Sequence, residues 1–202
     1  MSRLVMPLTK VVITGNKGGT GKTTIAALLA EYLNHQNKKV QLIDTDPNQA
    51  LQAWVNNCLQ EKRPVSSPPP VDYQIIDTAG VSGGYLTHIK QANIILVPFI
   101  PHYVDLQVII PWFNSLPKSQ QKKVYFLPNR YQKTKEQREG LNQLNETRRD
   151  MKAGVVLPPL SQRPALYGSL LNGSPANFFT QKESQQAQES FTQLFKHYEK
   201  NH

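Results

Sequence analysis

Cysteine is almost missing: Cys58 is the one thiol in 202 residues. No disulfide can close within the chain, and a metal site built on several thiolates is excluded. Cys58 reads as a small buried hydrophobe. Long apolar runs are missing too. The strongest, around Ile94–Ile100, is far too short to span a bilayer. The opening segment, MSRLVMPLTKVVIT, runs straight into a strand-like stretch and lacks a signal peptide's apolar core. A cytoplasmic location is the expectation. Acidic residues are scarce: 14 Asp and Glu stand against 23 Lys and Arg, a net charge of +9. That surplus points to an acidic partner, either nucleic acid or anionic lipid. The histidines show no metal-ligand spacing.

What is present is a regular alternation. Strands are predicted at Lys10–Thr14, Val40–Asp44, Tyr73–Asp77, Ile94–Pro98, Val124–Leu127 and Val155–Leu157. Helices are predicted at Lys22–Asn34, Gln49–Gln60, Leu106–Ser115, Thr134–Lys152, Pro164–Leu171 and Lys182–Lys200. The strands are continuous apolar runs without period-two alternation, as in a parallel sheet covered on both faces. The predicted class is α/β: a doubly wound, mostly parallel sheet with helices on both faces, in a single domain over residues 1–202. RPVSSPPP, residues 63–70, fits a stiff surface connection, since proline offers no backbone donor; a proline-rich recognition motif is the alternative.

GNKGGTGKTT, residues 15–24, lies between a predicted strand and a predicted helix. Glycines at 15, 18, 19 and 21 let the backbone bend around an anion. The amides of Gly18, Gly19, Thr20 and Gly21, with the helix N-terminus behind them, point at phosphate. Lys22 reaches β- and γ-phosphates, Thr23 offers a hydroxyl to Mg²⁺, and Thr24 reaches the α-phosphate. The strict phosphate-loop spacing asks for glycine at 16, where Asn16 stands; asparagine tolerates left-handed backbone angles better than most residues.

Two further strands end in carboxylates. VQLIDTDPNQ places Asp44 and Asp46 at the carboxyl end of the second strand, where ligands bind in such sheets. Asp46 suits positioning of an attacking water or a metal-bound water, and Asp44 suits the Mg²⁺ shell or a switch. Asp-Pro-Asn also favours turn and cap geometry. YQIIDTAG ends the third strand in Asp77, the form of a Walker B acid that holds Mg²⁺ directly or through water. GVSGGY, which follows, reads as a switch loop.

NKGGTGKTT at 16–24, LIDTDPNQALQAW at 42–54 and YQIIDTAG at 73–80 together resemble the ParA/MinD family of deviant Walker-A ATPases. NIILVPFIPHYVDLQ at 93–107 and LSQRPALYGSLLNGS at 160–174 extend the resemblance along most of the chain. The small ParF-type plasmid-partition ATPases are the nearest pattern. The resemblance implies a P-loop NTPase fold, with ATP and Mg²⁺ as ligands. It also implies an ATP-dependent homodimer on nonspecific DNA, placing the protein on the nucleoid. Hydrolysis would be slow alone and stimulated by a ParB/ParG-like centromere- or cargo-binding activator. In relatives the early lysine, here Lys17, reaches across the dimer to the partner's ATP. A second cis ammonium beside Lys22 would gain little, whereas a trans one ties pairing to phosphate charge. Asn129, Arg130 and Pro158 are the positions implied near the adenine. The stretch between Trp54 and Tyr73 is shorter than the family's and leaves the sheet edge open.

Two features leave alternatives open. Lys118 to Lys200 carry most of the basic residues, which fit DNA backbone as a set and solvated helix faces one by one. Phe191, Leu194, Phe195 and Tyr198 form an apolar stripe that either packs on the sheet or inserts in a membrane surface, as a MinD-like tail does. A positioning ATPase for a protein assembly, or a ligase of the same superfamily, fits the motifs as well.

Overall fold

The computed structural model describes residues 7–15, 17–79, 85–178 and 180–201, the side chains of 85 and 183 excepted. Among the described residues, six strands form one parallel sheet: β1 Thr9–Ile13, β2 Val40–Asp44, β3 Tyr73–Asp77, β4 Ile94–Phe99, β5 Val124–Pro128 and β6 Val155–Val156. Their order is β2-β3-β1-β4-β5-β6. Every pairing is parallel, with Ile13 beside Asp77 and Leu96. All strand carboxyl ends therefore share one pole, and all amino ends the other.

Among the described residues, eight helices connect or follow the strands: α1 Lys22–His35, α2 Ala50–Gln60, α3 Tyr85–Gln91, α4 Tyr103–Ser115, α5 Lys118–Gln121, α6 Lys135–Met151, α7 Pro164–Leu171 and α8 Lys182–Lys200. Alternate residues of each strand face opposite layers. Val11, Ile13, Ile75, Leu96 and Leu127 pack with α1, α2, α7 and α8. Val12, Ile76, Ile95, Val97 and Phe126 pack with α3, α4 and α6. This is the P-loop NTPase arrangement with both faces covered.

Helix α1 is the buried anchor of the loop that enters it. Its IAALLAEYL run is made of strong helix formers, and residues 25 to 33 are all buried. The small alanines let sheet, α2, α7 and α8 close on it from several sides. The C-terminal stripe belongs to this layer. Phe191 and Leu194 are fully buried, Phe195 stacks on Tyr32, and Tyr198 packs against the same cluster.

The edge left open by the sequence is β2, and residues 65–67 guard it. Ser67 N donates to Val40 O at 2.7 Å, Leu42 N donates to Ser66 Oγ at 3.1 Å, and Val65 is buried. An edge covered in this way cannot recruit a foreign strand. Three other departures have local causes. Helix α4 begins at Tyr103 instead of Leu106, because its first two residues face solvent and carry no apolar period. Helices α3 and α5 escape the pattern: α5 is one turn with no apolar residue, held where Gln121 Nε2 donates to Phe113 O and Leu116 O. Strand β6 stops before Leu157, ahead of Pro158 and Pro159, which lack amide donors.

Candidate functional site

The phosphate loop leaves the carboxyl end of β1 and enters α1 through Gly21. Gly19 and Gly21 sit at φ +75° and +93°, a region that favours glycine. A Cβ on Gly21 would also collide with the Asn129 amide. No side chain caps the N-terminus of α1, and its first turn holds no acid. Its leading N–H groups are thus free for an anion.

Around the loop lies a cleft of about 580 Å³, lined in part by Gly18, Gly19, Lys22, Thr23, Asp46 and Arg130. Lys22 is buried, and its Nζ donates to Lys17 O at 3.1 Å. Burial lowers its pKa from the usual lysine value, while Asp77 and then Asp46 work in the opposite direction. Asp77 is 1% exposed. Its Oδ2 accepts from Thr23 Oγ1 at 2.7 Å, and its Oδ1 is buried without a partner. Burial pushes this carboxyl up to about 6, against the Thr23 hydrogen bond and with help from Asp44. A buried, half-satisfied carboxylate beside a threonine hydroxyl is a set of hard oxygen donors, which suits Mg²⁺. Among the described residues no group of three His, Cys, Asp or Glu could hold a metal. A cation here would draw its remaining ligands from phosphate and water.

The other predicted residues divide. Asp46 lines the cleft, and its Oδ1 also accepts from Asn48 N at 2.9 Å, so the cap reading describes its local bonding too. Asp44 has both oxygens on backbone: Oδ1 on Asp46 N and Oδ2 on Gln52 N, each 3.0 Å. It anchors the turn into α2. Thr24 follows Thr23 into α1 and does not line the cleft. Asn129 stands behind the loop, where its Nδ2 donates to Thr20 O at 2.9 Å. Arg130 lines the cleft; Pro158 does not, and its carbonyl accepts from Ser190 Oγ. Asn16 and the switch-loop residues 80–84 lie outside the described residues.

Lys17 is paired within its own chain. Its Nζ donates to Asp105 Oδ1, and Asp105 Oδ2 accepts from Ile100 N at 3.0 Å. Asp105, inside YVDLQ, carries no role that the local motif announces. The signal available was an acid in the first turn of a helix that starts at the carboxyl pole. Thr20 was expected to contribute its amide; its hydroxyl is also buried and unpartnered.

A model of the CobQ/CobB/MinD/ParA nucleotide binding domain matches residues 11–176. Protein ParA of Rhizobium radiobacter is 30% identical over 114 residues, 48% of this chain and 51% of that protein. The chain thus spans about half the length of this curated relative. Among solved structures, pNOB8 ParA aligns with a TM-score of 0.71 at 15% identity, over 96% of this chain and 100% of that one. The septum site-determining protein MinD of Pyrococcus horikoshii OT3, complexed with Mg-ADP, aligns at 0.69 and 16% identity, over 93% and 96%. At these identities the structures establish the fold alone. The family model covers far more than half of the chain, and its span holds the loop, both acid-ended strands and Arg130. The chain belongs to the CobQ/CobB/MinD/ParA nucleotide-binding domain family.

Proposed function

We propose that this protein is a ParA-type ATPase that pairs on ATP, binds DNA without sequence preference and positions a plasmid or other cargo. The observation that carries the reading is the buried Asp77 with one oxygen on Thr23 and the other unpartnered, set beside Lys22 at an uncapped helix start. The amides of residues 18–21 would bind the phosphates, and the Lys22 ammonium would balance charge on the β- and γ-groups. Thr23 and Asp77 would hold Mg²⁺, which when bound neutralises phosphate charge. Asp46 would orient the attacking water, and Arg130 would flank the base.

Pairing is supported by the rim of the cleft. Tyr103 and Val104 are 61% and 63% exposed beside the Lys17–Asp105 pair. Two large apolar side chains in water next to a charged switch suit a second copy. ATP would draw Lys17 off Asp105 to the partner's phosphates, and loss of the γ-phosphate would return it. The Asp44–Gln52 anchor keeps Asp46 at the cleft throughout. Turnover would be slow alone and faster with a ParB/ParG-like activator carrying a basic arm. The buried C-terminal stripe does not favour a membrane-inserting tail, and among the described residues no helix is long and apolar enough to cross a membrane.

DNA binding across a salt series, with ATP and with ADP, tests the proposal. The expected result is tighter binding with ATP in the wild type and in Asp46→Ala, with release after hydrolysis only in the wild type. Equal binding in ATP and ADP, or a release-competent Asp46→Ala, contradicts it.

A further inference from the structure

Gln137, in the first turn of α6, is a buried amide with both ends engaged. Its Oε1 accepts from Gln132 N at 2.7 Å, which fixes the orientation of the amide. Its Nε2 therefore carries two donors. One reaches His102 Nε2 at 3.2 Å, and the other faces Arg130 O at 3.4 Å. An imidazole nitrogen that accepts from this amide leaves the ring proton on Nδ1, which donates to Glu136 Oε2 at 3.1 Å. The other oxygen of Glu136 accepts from Tyr103 N at 3.3 Å. Two neighbouring residues of α6 thus hold the start of α4. One turn further on, a Cβ on Gly140 would collide with the Pro101 carbonyl, so helix and turn are in direct contact.

The turn held in this way, residues 100–105, is the one that presents Asp105 to Lys17. Asp105 N donates to His102 O at 3.1 Å, and Asp105 Oδ2 accepts from Ile100 N. Asp105 is buried, so the reach of its other oxygen to Lys17 depends on the shape of the turn. Packing alone does not call for an amide at 137. Elsewhere α4 and α6 share an apolar cluster that includes Leu106, Ile109 and Leu144. An apolar side chain at 137 would fill the space. The amide adds directed bonds to two places that the cluster does not reach. One is the carbonyl of Arg130, which lines the nucleotide cleft. The other is His102, three residues before the acceptor of Lys17.

We infer that Gln137 and His102 are positioning residues for the Lys17–Asp105 pair: their contact holds the start of α4 where Asp105 keeps Lys17 bound. The assignment deepens the pairing reading, on which it rests, by naming what sets the readiness of Lys17. Breaking the contact releases Lys17 in a larger fraction of molecules. The apparent affinity of pairing with ATP then rises in proportion to that fraction.

The test is the rate of Lys17 acetylation by acetic anhydride without nucleotide, read by peptide mass spectrometry against the exposed Lys38. His102 is partly exposed, so its variants should fold where Gln137→Met fails to. His102→Leu removes the acceptor, His102→Gln returns one near the Nε2 position, and Asp105→Asn sets the rate of an unheld Lys17. The expected result is acetylation about 2- to 10-fold faster in His102→Leu, the weight of one hydrogen bond, with His102→Gln near wild type. In the Asp105→Asn background His102→Leu should add nothing, an outcome that a general loss of stability would not produce. The protein concentration for half-dimerisation with ATP, by sedimentation, should fall by the same factor. A wild-type rate in His102→Leu beside a fast Asp105→Asn, or a His102→Gln as fast as His102→Leu, overturns the positioning assignment and leaves the pairing reading standing. Faster acetylation with unchanged dimerisation supports the assignment and overturns the pairing reading. A wild-type rate in Asp105→Asn overturns both.

Discussion

Replacing Asp77 by asparagine should stabilise the nucleotide-free protein while destroying its ability to use Mg²⁺. The carboxyl is 1% exposed, and burial pushes it up to about 6 from an ordinary 3.8. An ionised Asp77 therefore costs folding energy. At 1.36 kcal/mol per pH unit, the difference sets a ceiling of about 3 kcal/mol. The raised pKa means the folded state binds the proton more tightly than the unfolded chain. The stabilising contribution is full below 3.8 and is lost as pH rises through about 6. Asparagine keeps the shape and can accept the Thr23 hydrogen bond without burying charge. For a chain of this size about 3 kcal/mol corresponds to roughly 6–12 °C in Tm. Thermal unfolding in EDTA should show the variant ahead by several degrees above neutral pH, with the gap closing as pH falls through about 6 toward 4. With Mg²⁺ and ATP present the order should reverse, because the amide is a poor cation ligand. An asparagine variant no more stable than wild type above neutral pH, or a gap that ignores pH, refutes the reasoning.

Three other substitutions probe separate parts of the fold. Gly21→Ala meets both a left-handed backbone and the Asn129 amide, so ATP binding should be lost and stability should fall by at least about 1–2 kcal/mol, read by calorimetry and unfolding. Phe191→Ala empties a fully buried site between α8 and α1 and should cost about 3–5 kcal/mol in chemical denaturation without creating liposome binding. Arg63→Ala strands the largely buried Glu31, whose carboxyl burial already pushes up against the Arg63 contact. Its loss should be about 3 kcal/mol or less, larger at alkaline pH and smaller below the carboxylate range, by unfolding across pH.

Much of the fold was legible because parallel strands buried on both faces are continuous apolar runs. VQLID, YQIID and VYFL are short runs flanked by polar or turn residues, and their observed limits match or differ by a residue. The phosphate loop was legible because glycine, lysine and threonine in that spacing have few other uses. Side-chain pairings were not. The sequence offers Asp44 for the Mg²⁺ shell or a switch and Asp46 for the water, yet no local pattern shows that Asp44 is fastened to backbone amides while Asp46 reaches the cleft. The resemblance implies Asn129 near the base, and no sequence pattern shows that its amide also donates to Thr20 O behind the loop. Asp105 lies 88 positions from Lys17. No local pattern joins two residues brought together only when β1 and β4 pair.

In the proposed cycle Lys17 exchanges Asp105 for the phosphates of a second copy. Its most direct test is the solution mass of wild type and Lys17→Ala with ATP, with ADP and without nucleotide, by sedimentation. A wild type that is dimeric only with ATP, beside a variant that binds ATP yet stays monomeric, is the predicted result. A Lys17→Ala protein that dimerises with ATP as readily as wild type contradicts it.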